Sequence, residues 1–203
     1  LPVPTGNYDI DVDAPSLGAA GTSAISVDNL ALDGGTSYTV AAVGTLASLL
    51  NPNANVAPLQ PLLLVDDRTI DPTQARVRFV HASADTPAVD IVANTLSGNV
   101  TLFDDVARLT SGGYVSVPAG TYDLDVFLSS ANQSGSPALE VNGLTLEAGT
   151  VYTVFAVGLS GLGQAPGTGQ QLGALAVVDA VIPEPGLLSL IAAPALLMFR
   201  RRR

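Results

Sequence analysis

The chain has 203 residues with no cysteine and no lysine, and its 8 arginines face 18 acids for a net charge of −10. Disulfides, thiolate metal centres and a thiol nucleophile are therefore excluded, and a nucleic-acid partner is argued against because phosphates want a basic patch. The length allows one or two domains, each large enough to bury a core.

In chain order, the first residues, Leu1 to Val12, show no basic stretch followed by an apolar one, so no export signal is visible. Tyr8-Asp9-Ile10-Asp11-Val12-Asp13 alternates apolar and acidic residues, which predicts a strand with one face buried. Leu46 to Leu50 fits a helical turn, and Asn51 to Pro61 reads as a variable loop. Arg68 to Gln74, polar and with one proline, has the composition of a short stiff connection.

Beyond it, Val77 to His81 and Val89 to Val92 predict strands, and Pro118-Ala119-Gly120 joins Tyr114–Val117 to Thr121–Leu128. Asn142-Gly143 has the signature of a tight hairpin turn. Val151 to Val157 predicts a central strand, Gly161 to Gln171 reads as a second variable loop, and the pattern ends near Asp179.

Much of this pattern occurs twice. Val3-Pro4-Thr5-Gly6-Asn7-Tyr8-Asp9-Ile10-Asp11-Val12 aligns with Val117-Pro118-Ala119-Gly120-Thr121-Tyr122-Asp123-Leu124-Asp125-Val126, and Gly35 to Gly44 aligns with Gly149 to Gly158 at the same offset of 114. Nearly half of the positions from Leu1 to Gly44 are identical to their partners without a gap. After a loop one residue shorter, Leu62–Asp66 matches Leu175–Asp179. The segment Ala75 to Tyr114 has no counterpart ahead of Leu1, so we expect the first copy to lack its front third and the intact protein to continue upstream, with an export signal. The expected organisation is a partial β-sandwich repeat over 1–67, a linker over 68–74, a complete repeat over 75–180 and a tail over 181–203. The fold class is all-β, a tandem of immunoglobulin-like or prealbumin-like sandwiches followed by a short apolar C-terminal helix.

The run Arg76-Val77-Arg78-Phe79-Val80-His81-Ala82-Ser83-Ala84-Asp85-Thr86-Pro87-Ala88-Val89-Asp90-Ile91, followed by Tyr114 to Leu124, resembles the bacterial domain-of-unknown-function family 4397. That resemblance, covering 1–67 and 75–179, implies extracellular tandem β-sandwich modules and supplies no functional residues.

The residues offer three candidate chemistries. His81, the single histidine, has Asp85 and Asp90 nearby and Ser83 or Ser116 as nucleophiles for a hydrolase. No G-x-S-x-G elbow occurs, and the expectation is a hydrogen-bonded histidine at a strand end. Asp9, Asp11 and Asp13, echoed by Asp123 and Asp125, and the pairs Asp66-Asp67 and Asp104-Asp105 offer hard oxygens for calcium, but no EF-hand-type loop is present and water-facing acids are expected. Tyr8, Tyr38, Tyr114, Tyr122 and Tyr152 are candidates for sugar stacking. Four of them fall at two repeated positions in phase with aliphatic residues, which predicts packing instead. No catalytic, metal or cofactor residue is expected.

The tail carries the most specific pattern. Ile182-Pro183-Glu184-Pro185 precedes a mostly apolar run from Gly186 to Phe199 and then Arg200, Arg201, Arg202 and Arg203. As a helix the run would span about 21 Å, short against a hydrocarbon core of about 30 Å. The arginines would hold their end in the cytoplasm and leave the repeats outside. This order is similar to the PEP-CTERM sorting signal, which implies an exosortase, a membrane transpeptidase-like cysteine enzyme, as processing partner. By that resemblance Pro183, Glu184 and Pro185 mark the processing region and Arg200–Arg203 the retention cluster. The expectation is a non-enzymatic secreted or cell-surface protein, a structural or adhesive component of the exopolysaccharide matrix, whose tail is only transiently in the inner membrane. The alternative is a glycan- or calcium-binding extracellular module.

Overall fold

The computed structural model describes residues 1–13, 23–45, 56–160 and 171–182. The described part is built of β-strands: β1 Gly6–Asp13, β2 Ser23–Leu32, β3 Ser37–Val43, β4 Gln60–Asp66, β5 Gln74–His81, β6 Val89–Thr95, β7 Gly98–Val106, β8 Ser111–Pro118, β9 Gly120–Leu128, β10 Leu139–Leu146, β11 Thr150–Val157 and β12 Gly173–Val181, with one 3-10 turn at Ser129–Ala131. The helical turn expected at Leu46–Leu50, the first five residues of the loop Asn51–Pro61, nearly all of the loop Gly161–Gln171, and everything from Pro183 onward lie outside the described residues.

The second copy is a sandwich of two four-stranded sheets, in the orders β10-β9-β6-β7 and β12-β11-β5-β8. All pairings are antiparallel except β5 with β11. The composition of β11, Thr-Val-Tyr-Thr-Val-Phe-Ala-Val, suits a central strand flanked on both sides, and nearly all of it is buried. Alternation then sorts the side chains. Val77 and Phe79 of β5 and Tyr152, Val154 and Ala156 of β11 turn inward against Ile91 and Ala93 of β6 and Leu124 and Val126 of β9. Phe79 meets Phe103 across the core with ring centroids 6.0 Å apart. A small apolar cavity of about 20 Å³ remains between the sheets, bordered by Val77, Phe79, Ile91, Leu124 and Leu144.

The first copy supplies the same second half as two ribbons, β1-β2 and β3-β4, the counterparts of β9-β10 and β11-β12. Even the isolated bridges repeat: Thr45 with Pro58, and Leu159 with Gln171. Where β9 and β11 each have two strand neighbours, β1 and β3 each have one among the described residues.

Two local expectations change. Asn142-Gly143 does not turn a hairpin; it lies inside β10 at a bulge, where the register with β9 slips between Val141 and Leu144 and Gly143 adopts φ 72°. The repeat-equivalent Asn29 makes the same excursion at φ 58° in β2. The strand β7, with its acids Asp104 and Asp105, is an element that sequence reading did not find. Its pairing with β6 is interrupted by two register shifts, which break the simple alternation that would mark it.

Candidate functional site

The most polar buried segment is the loop from Ala82 to Ala88, which carries the chain from β5 in one sheet to β6 in the other. His81, Ser83 and Thr86 are fully buried there, and Asp85 nearly so. Buried polar groups at this depth must find partners, and Ser83, Asp85 and Thr86 find one another. Ser83 Oγ lies 2.6 Å from Thr86 Oγ1 and 3.2 Å from Asp85 Oδ1. The same carboxylate oxygen accepts the Ser160 amide at 2.7 Å, tying the loop to the end of β11. Arg108 Nη1 donates to the Ala84 carbonyl at 3.0 Å, so the β7–β8 connection also holds it.

His81 Nε2 is 2.8 Å from the Pro87 carbonyl. A carbonyl only accepts, so the proton sits on Nε2, and Nδ1 keeps a lone pair with no hydrogen-bond partner. Burial pushes the imidazole below its ordinary range, against hydrogen bonds to the Pro87 and Thr86 backbone that raise it, so the ring is neutral at pH 7.

The residues weighed for hydrolysis are not assembled as a triad. Ser83 is hydrogen-bonded to Asp85 and Thr86, and Asp90 accepts instead from the Asp105 amide at 2.8 Å and Ser129 Oγ at 2.9 Å. Ser116 stands opposite Arg76 on β8, five residues along β5 from His81 and so roughly 16 Å away.

The acids and tyrosines singled out in the sequence serve the strands they sit on. Asp9 and Asp123, repeat equivalents, accept the amides of Asn29 and Gly143 at 2.8 Å each and so lock the two bulges. Asp11 takes Ser26 Oγ at 2.8 Å, Asp13 takes Ser23 Oγ at 3.2 Å, and Asp125 takes Asn94 Nδ2 at 3.0 Å. Among the described residues no group of three or more acids or histidines is placed to hold a metal ion. Tyr8 and Tyr122 donate to the carbonyls of Pro4 and Pro118 at 2.6 Å each, while Tyr38 and Tyr152 accept the amides of Asp33 and Glu147 at 3.2 and 3.1 Å. At these four tyrosines the second copy reproduces the bonds of the first. Tyr114, the unrepeated one, stacks under Arg76 and Arg78, 5.2 and 4.8 Å from its ring centre, and burial pushes its hydroxyl up to about 12.

Asp66 and Asp67 lead to a network that sequence reading missed. Arg78 Nη2 meets Asp66 Oδ1 at 2.7 Å, and Arg76 Nη2 meets Asp67 Oδ2 at 2.7 Å. The Arg76 hydrogen bond, helped by Thr69, holds the Asp67 carboxyl well below the usual range. Two arginines at alternate positions of a strand, in a chain with so few, were the available signal. The tail residues Pro183, Glu184, Pro185 and Arg200–Arg203 lie outside the described residues, and among those described no helix is long and apolar enough to cross a membrane.

Fold and repeat define a tandem all-β protein of sandwich modules. Compared with known families, the chain matches the domain of unknown function DUF4397 twice, over residues 1–92 and 75–185. It belongs to that family. No curated protein matches it.

Proposed function

We propose that this is a non-enzymatic exported protein, a structural or adhesive component of an exopolysaccharide matrix, sorted by its C-terminal tail. The observation that carries the reading is the order of that tail: Pro183-Glu184-Pro185, an apolar run, and Arg200–Arg203 at the end. An exosortase-type enzyme would act near Pro183–Pro185, and the arginines would stop translocation with the repeats outside. Support also comes from the repeats, where hydroxyls and carboxylates in the loop after β5 bond to each other. An acidic, lysine-free surface keeps such modules soluble in the open medium.

The test is intact-mass analysis of the protein from a host with the sorting system, alongside a Glu184→Ala variant. Loss of the segment after Pro185 from the parent, and its retention with membrane association in the variant, is the expected result. A parent that keeps Arg203 refutes processing.

A further inference from the structure

We propose that the outward side of the paired strands β5 and β11 is a docking face for the preceding copy, and that Arg78 closed on Asp66 makes the two copies one rigid, cooperatively unfolding unit. On that face, away from the sandwich core, Arg78, Val80 and Thr153 are nonetheless 2%, 0% and 1% exposed. A guanidinium this deep is tolerated only when its donors are met and its charge is paired. Here they are. Nε and Nη2 donate to Thr153 Oγ1 at 3.0 and 2.8 Å, Nη1 donates to the Val65 carbonyl at 3.1 Å, and Nη2 also donates to Asp66 Oδ1. Two of these three acceptors come from the end of β4, in the other copy.

The pattern repeats in the partners as well. Thr39 donates to Asp66 at 2.9 Å, and Thr153 donates to Asp179 at 2.6 Å. Thr39 and Thr153, like Asp66 and Asp179, are equivalent positions of the repeat. Both Thr–Asp pairs converge on one arginine, since Asp179 Oδ2 also stands 3.9 Å from Arg78 Nη2. Equivalent Thr–Asp pairs of the two copies thus meet at one junction, on a single arginine. Thr153 gives its single proton to Asp179 and accepts from Arg78, so the chain of bonds has one consistent direction.

Two further ties flank the clamp. Before it, Arg76 grips Asp67 and donates to the Thr69 carbonyl at 2.7 Å. After it, the Ala57 amide donates to the Ala84 carbonyl at 2.8 Å, inside an apolar cluster of Val56, Ala57 and Ala84 with Leu109 and Leu159 against it. The Arg76 pair is half exposed on its acid side and holds weakly; the buried Asp66–Arg78 pair, whose disruption strands a charge, is the discriminating one.

The cysteine-free chain makes the test direct. Spin labels on Asp28→Cys and Ser97→Cys, both exposed and one in each copy, report the distance between copies by double electron–electron resonance. The expected result is a narrow distribution and one melting transition in the otherwise unaltered chain, with Asp66→Ala broadening the first and splitting the second into two. The His81 ring signal in proton spectra checks that the second copy is folded; should it be lost in Asp66→Ala, Asp66→Asn, which keeps the Thr39 bond and removes the charge, replaces it. A broad distribution in the parent, or a variant with unchanged distribution and a single transition, overturns the proposal.

Discussion

Ile91 offers the sharpest test of the sandwich core. It lies on β6 opposite Phe103 of β7 and Val126 of β9, is 2% exposed, and borders the cavity of about 20 Å³. Ile91→Ala deletes three buried carbons, about 2.4 kcal/mol of transfer free energy at ~0.8 kcal/mol each, and the hole left behind adds roughly 1–2 kcal/mol. Since a void already adjoins the site, the new space joins it rather than being filled by collapse, and the sum of about 4 kcal/mol falls in the upper half of the range for such changes. Ile91→Val, losing one carbon, should cost about 1 kcal/mol. Urea unfolding followed by far-ultraviolet circular dichroism, with tyrosine fluorescence as second probe, measures both. A loss below about 1.5 kcal/mol for Ile91→Ala would mean that the two sheets do not close on this residue.

Two other outcomes follow from single positions. Gly35 and Gly149, equivalent in the repeat, sit at φ 78° and 75°, but only at Gly149 would a Cβ strike a neighbour, 2.5 Å from Ile182 Cδ1. Alanine at either should cost about 1–2 kcal/mol from the left-handed backbone, with Gly149→Ala the worse of the two in thermal melts; equal losses would contradict the Ile182 contact. His81 is held neutral by burial, so the folded state binds fewer protons than the unfolded chain below the ordinary histidine range. Its contribution to stability is present above pH ~6.5 and is lost as pH falls through the lowered folded value. The ring C2 proton, single in this chain, should titrate with a midpoint below 6.5; a midpoint at or above it would refute the buried neutral ring.

Some of this structure could be read directly along the chain. The alternation Tyr122-Asp123-Leu124-Asp125-Val126 fixes which side chains of β9 enter the core, because a pleated strand turns successive residues to opposite faces. The run from Val151 to Val157 announced the buried β11, and the offset of 114 announced that the first copy would repeat the second copy's latter half. Asn142-Gly143 misled because a residue pair suited to positive φ serves a bulge as readily as a hairpin; what decides is whether the partner strand continues past it, as β9 does here. The candidate site was legible in composition only. His81, Ser83, Asp85 and Asp90 were the polar residues to watch, but whether the serine faced an imidazole or a carboxylate depended on a loop crossing between sheets.

By itself, the sequence determined the period-two strands, the duplication and the absence of thiol chemistry, since these rest on residue identity and spacing within a few positions or on one long self-comparison. Tertiary structure alone decided the rest: that β5 lies parallel beside β11, that Asp9 and Asp123 cap bulges, and that Arg78 reaches from one copy into the Thr–Asp pair of the other. Such contacts join residues far apart in the chain, and no local pattern reports which distant partner a buried charge will meet.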